Sequence, residues 1–537
     1  MQMASSEIQH EISRRRTFAI ISHPDAGKTT ITEKLLLFGN AIHMAGVVKA
    51  KRAKHFAKSD WMEIEKQRGI SVASSVMQFT YKNYEINLLD TPGHEDFSED
   101  TYRVLTAVDC ALMVIDSAKG IETQTKKLFE VCRDRNLPII TFINKLDREG
   151  RDPFDLIDQI EKELNLPCFP FSWPIGQGMD FKGVYDIDKK QVRLFEAGAK
   201  TTQFETEVFT DIQDKNLNKK IDDHLLQKLK DDLELIEGAG AEFKKEHFLA
   251  GNVSPVFFGS ALNNFGVQEM LESFINLAPQ PLPRKAESRV VDPSEKNFTG
   301  LIFKIQANMD PKHRDRVAFM RICSGEFVQG MNIYHVRKER TFKLNNAIQF
   351  MSQDRKNVDT AYAGDIIGIN DRGNLMIGDT ITQGEKLQFT GIPFFSPEIF
   401  CRVELKNPIK VKQLHKGLEQ LSEEGASQIF HRKHTSETII GLVGTLQLEV
   451  VKFRLLNEYS ADADFLPINA NLSRWFHSKD KKKLDEFIQY HHAQVVYDRR
   501  DYPLVLLENE WRLHYLQDKN PDLSFYSSLI AYERDAL

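Results

Sequence analysis

The run Ser22-His23-Pro24-Asp25-Ala26-Gly27-Lys28-Thr29-Thr30 follows an apolar stretch, Phe18 to Ile21, and precedes the helix-favouring Glu33 to Leu37. A strand, a glycine-bearing loop and a helix N-terminus in that order surround a polyphosphate with backbone N–H groups, with Lys28 as a point charge and the Thr29 hydroxyl on Mg²⁺. Ser22 stands where the general pattern has its first glycine. Asp90-Thr91-Pro92-Gly93-His94 closes a second β-type run and has the composition of a third-phosphate sensor. Its acid can hold Mg²⁺ through water, and Gly93 brings an N–H close to the phosphate because no side chain intervenes. His94 is then placed to orient the attacking water or briefly take its proton. Ser71, in Arg68-Gly69-Ile70-Ser71, supplies a second hydroxyl for the metal.

A phosphate loop alone leaves ATPases, kinases and GTPases open. Asn144-Lys145-Leu146-Asp147, after the apolar run Pro138 to Ile143, narrows the choice. A carboxylate fixed at a strand end accepts from both the N1–H and the 2-amino group of guanine, a donor pair that adenine lacks. Leaving it unpaired is costly enough for discrimination of about 10⁴-fold. Ser260-Ala261, following Val256 to Phe258, is expected to complete the base pocket through backbone donation to the guanine carbonyl.

These clusters need a scaffold that delivers strand ends to one place. Through the first third of the chain, strand-like and helix-like runs alternate, so the fold class expected is multidomain α/β. A P-loop GTPase domain with a doubly wound, mostly parallel sheet comes first, with its ligands at the carboxyl ends of the strands. Val76 to Tyr81 and Tyr84 to Leu89 meet at the turn-like Lys82-Asn83. From about 153 to 251 the pattern loosens and reads as an insertion, with Trp173 to Gly178 as a loop. Ala278 to Pro283 is a linker by its prolines. The expected domains are therefore 1–283 for nucleotide binding, 284–394 as a β-barrel and 395–537 as an α+β unit. The last seventy or so residues show no clear pattern, and no internal repeat is evident.

Composition sets limits on partners. The chain has 537 residues, 41% of them hydrophobic and 28% charged, the make-up of a soluble globular protein of several domains. A net charge of −6 argues against general nucleic-acid coating, and no DNA partner is expected. The basic runs Lys49 to Lys58 and Lys479 to Lys483 are the main candidates for a local nucleic-acid patch, although a charge run is more usually a solvated face. Cys110, Cys132, Cys168, Cys323 and Cys401 form no CxxC pair, so a reducing cytoplasm without zinc or disulfides is expected. No run reaches the length of a membrane span, and no membrane partner is expected.

In their order, the clusters resemble those of the translational GTPases. Longer stretches are similar to the release factor 3 branch of that family: SHPDAGKTT, KSDWMEIEKQRGIS, DTPGHEDFSEDTYR, NKLDREGRDP, SWPIGQG, FKIQANMDPKHRDRVAFMRICSG and LEQLSEEGASQIFH. The likeness runs over nearly the whole chain. In that family the position of Ser22 is commonly Ala, Ser or Gly, and most members have Thr where Ser71 retains the hydroxyl.

The resemblance implies GTP and GDP as ligands. It places Lys28 and Thr29 on phosphate and Mg²⁺, Ser71 and Asp90 on Mg²⁺, His94 on the water, and Asn144 and Asp147 on guanine. It further implies a ribosome partner whose large-subunit rRNA brings His94 into position, slow intrinsic hydrolysis, and a switch from about Lys49 to Ile70. The expected role is to drive class I peptide chain release factors off the ribosome after peptide release, by a chain monomeric off the ribosome and similar to elongation factor G in outline. An elongation or translocation factor would need further C-terminal domains or an aminoacyl-tRNA surface. A metabolic ATP-dependent enzyme would need a second substrate site, and Asp147 opposes adenine.

Overall fold

The computed structural model describes residues 2–39, 72–195, 207–240, 242–307, 316–345, 347–351, 354–371, 373–393, 396–433, 435, 437–527 and 529–536. Ser71, the basic run 49–58 and the expected switch 49–70 lie outside them.

The strands β1 (Arg15–Ser22), β4 (Cys110–Asp116) and β5 (Ile139–Asn144) are buried at every residue. Uninterrupted burial of this kind belongs to a parallel sheet covered on both faces. With β2 (Ser75–Tyr81), β3 (Tyr84–Asp90), β6 (Cys168–Pro170) and β11 (Ser254–Phe258), they form a seven-stranded sheet ordered β2-β3-β1-β4-β5-β11-β6. All neighbours are parallel except β2 and β3. That pair turns at Lys82 and Asn83, whose φ values of 45° and 67° give the two-residue turn that matches strand twist. One face packs on the helices Lys28–Phe38 and Val267–Leu277, the other on Ser98–Thr106, Thr123–Asp134 and Pro153–Leu164.

Within 153–251 the chain adds a helix and the edge strand β6 before leaving the main sheet. It then forms an antiparallel sheet of β7 (Ser172–Ile175), β8 (Gly183–Asp186), β9 (Gln191–Leu194) and β10 (Glu207–Phe209). Trp173 to Ile175 therefore lies in a strand, and only Gly176 and Gln177 correspond to the loop expected there, Gly178 opening a 3₁₀ turn. The strand wins because Trp173 is fully buried against Phe154 and Phe258, at centroid distances of 4.6 and 5.4 Å, and donates Nε1–H to Asp232 at 2.9 Å. Pro174 is tolerated because β7 is an edge strand.

The β-barrel domain is built on an eight-stranded sheet with the long pair Thr299–Ala307 and Arg316–Ser324 at its centre. It is joined to the first domain by buried charge. Asp109 accepts from Arg321 at 2.5 Å, Arg284 at 2.7 Å and Leu282 N–H at 3.0 Å, while Arg15 Nε reaches Asp365 at 2.8 Å. Gly364, at φ 107°, lies so close to Pro281 that a Cβ would stand 2.6 Å from its ring.

The third domain carries two copies of one topology, strand-helix-strand-strand-helix-strand. The first runs from Ile399–Leu405 to Ala463–Pro467 through the helices Val411–Glu423 and Thr445–Tyr459. The second, from Leu472–His477 to Ser524–Tyr526, carries the helices Lys481–Tyr490 and Glu510–Lys519. In each copy the first strand lies between the fourth and third, and the copies fuse into one eight-stranded sheet where His431 pairs with Tyr497. This repeat was invisible in the sequence because topology requires only matching runs of burial. Lys479 to Lys483 are exposed, as expected, and Asp480 caps the helix they begin at 2.9 Å from Lys482 N.

Candidate functional site

The loop between β1 and the helix Lys28–Phe38 turns through two left-handed residues, Asp25 at φ 67° and Gly27 at φ 98°. Gly27 has to be glycine on steric grounds, since a Cβ there would stand 2.2 Å from Asn144 Nδ2. No side chain caps the helix at Gly27, so its first N–H groups and the positive end of its dipole remain directed at the loop. Ser22 and Ala26 are buried, His23, Pro24, Thr29 and Thr30 half-buried, and Asp25 exposed. His23 Nε2 lies 3.1 Å from Glu122, and burial lowers its pKa from the ordinary histidine value.

Lys28 Nζ donates to Asp90 Oδ1 at 2.6 Å, with both side chains under a tenth exposed. The bond brings the ends of β1 and β3 together. Thr91 donates to Ile20 O at 2.7 Å, and Pro92 O accepts from Thr101 at 3.2 Å. Gly93 passes so near the phosphate loop that a Cβ would stand 3.3 Å from Pro24 N. His94 is exposed on 39% of its side chain and turns Nδ1 to the Asp96 N–H at 3.3 Å.

Asn144 to Asp147 and Ser260-Ala261 are fixed by a separate set of bonds. Asn144 Nδ2 donates to Ala26 O at 2.8 Å, and Asn144 Oδ1 accepts from Ala261 N–H at 2.8 Å. A single side chain thereby locks the phosphate loop to the loop after β11. Ser260 Oγ donates to Asp147 Oδ1 at 2.5 Å. The N–H groups of Ser260 and Ala261 bond Phe265 O and Asn144, so Ser260 joins this group through its hydroxyl rather than its N–H. Lys145, at φ 70°, donates to Asp116 Oδ2 at 2.7 Å. Burial pushes the Asp116 carboxyl up, but Lys145 and the Ala118 N–H outweigh it and hold it below the usual carboxylate range.

Asp90 Oδ2 is buried and has no hydrogen-bond partner among the described residues. No group of three or more His, Cys, Asp or Glu able to hold a metal gathers among those residues. A lone buried carboxylate oxygen near a helix-start hydroxyl suits Mg²⁺, which takes few protein ligands and completes its shell with water and phosphate oxygens. Thr29 and Asp90 fit that group.

Several contributors were not singled out in the sequence. Asp116 stands at a strand end, which is the one signal that could have revealed it. Glu122, Gly259 and Gly178 act through contacts with His23, Leu146 N–H and Leu146 O, which only the fold discloses. Asp100 and Lys304 form another such set. Lys304 Nζ, from the barrel, reaches Asp100 at 3.0 Å and Ser74 O and Oγ at 2.7 Å.

Comparison with known proteins gives three successive family matches. Residues 13–280 match the elongation factor Tu GTP binding domain, 297–384 match elongation factor G domain 2, and 389–517 match the C-terminal domain of class II release factor RF3. A crystal structure of a Thermus thermophilus protein superposes with a TM-score of 0.68 at 22% identity, covering 87% of this chain and 71% of that one. At that identity the likeness concerns the fold.

Proposed function

We propose, for a chain that belongs to the translational GTPases and carries the C-terminal domain of the release factor 3 family, that it hydrolyses GTP on the ribosome to drive a class I release factor off after peptide release. The family assignment makes it a guanine-nucleotide-binding translation factor. What supports the finer reading is the match of residues 389–517 to the C-terminal domain of class II release factor RF3 on a chain whose first part matches a GTP binding domain.

In this reading Asp147 accepts from guanine, with Ser260 Oγ fixing the carboxylate. Lys28 neutralises phosphate, while the loop from Ser22 to Thr30 and the helix start behind it supply N–H donors. Thr29, Asp90 and Ser71 would hold Mg²⁺, which when bound neutralises charge developing on the phosphate oxygens. Gly93 reports the third phosphate, and His94 orients the water whose attack gives GDP and phosphate. Large-subunit rRNA is the activator that brings His94 into line, and the segment 49–70 is the switch. We take the domains to be 1–283, 284–394 and 395–537, in a cytoplasmic monomer. No helix among the described residues is long and apolar enough to cross a membrane.

The test is GTP turnover with and without ribosomes carrying a bound class I release factor, scoring departure of that factor. Stimulated turnover with departure is expected. His94→Ala should bind GTP normally and lose about 10²-fold or more of the stimulated rate. Full stimulated hydrolysis in that variant would remove the histidine from the chemistry, and turnover indifferent to ribosomes would remove the proposed role.

A further inference from the structure

We infer that Asp96 is a positioning residue through which the third domain sets the orientation of the His94 ring. This rests on the proposed role of His94 in orienting the attacking water. His94 opens a single 3₁₀ turn, Glu95–Phe97, and its Nδ1 accepts from the Asp96 N–H at 3.3 Å. Asp96 Oδ1 lies 3.4 Å from the same nitrogen. With Nδ1 engaged as an acceptor, the neutral ring carries its proton on Nε2, so the nitrogen left for the nucleotide is a donor. That arrangement suits orienting a water more than taking its proton.

The other carboxylate oxygen faces the third domain. Asp96 Oδ2 accepts from Leu446 N–H at 2.6 Å, at the second residue of the helix Thr445–Tyr459. First-turn N–H groups have no partner within their own helix and lie at its positive end, so a carboxylate there is well placed. One residue therefore caps a helix of the third domain with its side chain while its backbone N–H holds the histidine.

The approach depends on Gly444, which precedes that helix. A Cβ at Gly444 would stand 2.2 Å from Asp96 Cγ and 2.3 and 2.5 Å from its oxygens. Only a residue without a side chain lets the carboxylate close on Leu446. Phe97 fixes the same turn from its apolar side, buried with Val450 of the helix and Val72, and packed by Leu446 and Phe453. A displacement of the helix thus carries Asp96 with it, and misplacement of a reacting group by about 1 Å can cost about 10²-fold in rate.

The experiment measures single-turnover GTP hydrolysis on ribosomes, together with GTP affinity, for the full chain and for Asp96→Ala, Asp96→Asn and Gly444→Ala. Asp96→Ala and Gly444→Ala should lower the stimulated rate about 10-fold or more, with GTP affinity held within about twofold. Asp96→Asn keeps an acceptor for Leu446 and should recover most of the rate. An unimpaired rate in Asp96→Ala, or a loss matched by equally weakened GTP binding, overturns the inference. Should Gly444→Ala fail to fold, the Asp96→Ala and Asp96→Asn pair decides alone. A wild-type chain that ribosomes do not stimulate refutes the proposed function and this inference with it. A stimulated wild type with indifferent variants refutes only the inference.

Discussion

At the amino ends of β1 and β4, Arg15 and Asp109 are tied into the barrel. Asp109, 1% exposed, takes Arg321 and Arg284 together, and Arg15 takes Asp365. At the carboxyl ends of β1 and β5, Asp25, Gly27 and Lys145 have positive φ, and at that of β3 Asp90 Oδ2 is buried without a hydrogen-bond partner among the described residues. One end spends its charged groups on one another. The other also pairs Lys28 with Asp90 and Lys145 with Asp116, yet keeps backbone strain at Asp25 and Lys145 and an unsatisfied carboxylate oxygen, each costing of order 1–3 kcal/mol, where a ligand could compensate. Substitutions at the first end should therefore alter stability without altering nucleotide choice. Those at the second should do the reverse.

The sharpest way to break this contrast is Asp147→Asn. It should shift preference from GTP toward xanthosine triphosphate by up to about 10⁴-fold, roughly 5.5 kcal/mol, with little change in thermal unfolding. Retained GTP preference in competition binding would show that the base is selected elsewhere.

Asp109→Ala comes next. It leaves Arg321, 1% exposed, without its carboxylate, and burial already lowers that guanidinium from its ordinary value against the pull of Asp109. A loss of about 3–5 kcal/mol is expected in denaturant unfolding, with the ratio of GTP to ATP affinity unchanged. The double variant Asp109→Leu, Arg321→Met should recover the part that comes from Arg321, while Arg284, which also bonds Asp109, stays without its carboxylate.

Lys304→Met, at the contact of the barrel with Asp100 and Ser74 of the first domain, should cost about 1–3 kcal/mol at neutral pH. Burial pushes the Asp100 carboxyl up, but Lys304 and Ser74 outweigh it and hold it below the usual carboxylate range. A carboxyl with a depressed folded pKa adds stability above its unfolded value of about 3.9 and loses it as pH falls through the folded pKa. The gap between wild type and variant should therefore narrow on acidification below about pH 4. A gap that is constant with pH would mean that Lys304 acts through packing alone.

Much of the first domain was legible in the sequence, and the reason is physical. Buried parallel strands require continuous apolar runs, so β1, β4 and β5 stood out, and the turn at Lys82-Asn83 announced itself by residue type. The Gly27-Lys28-Thr29 and Asn144-to-Asp147 clusters stood out by residue type, and the structure places them after β1 and at the end of β5, joined by the bond from Asn144 to Ala26 O. Trp173 to Ile175 was misread because a strand carrying proline and flanked by glycine looks like a turn until its tryptophan is seen buried. The second copy of the third-domain topology was hidden by strands as short as Val495–Tyr497, too brief for a period of two to register. Long-range pairs such as Asp96 with Leu446 leave no local signal at all.

Asp96 ties the helix Thr445–Tyr459 to the turn that follows Gly93, so a third phosphate sensed at Gly93, as proposed, should be felt at that helix while the barrel joint at Asp109 stays fixed. Hydrogen exchange of the full chain with a non-hydrolysable GTP analogue and with GDP tests it directly. The account expects protection of the amides from Gly444 to Val450 to differ between the two nucleotides, with those from Arg316 to Ser324 unchanged. Equal protection at Gly444 to Val450 in both states, or an equal change in both segments, would contradict it.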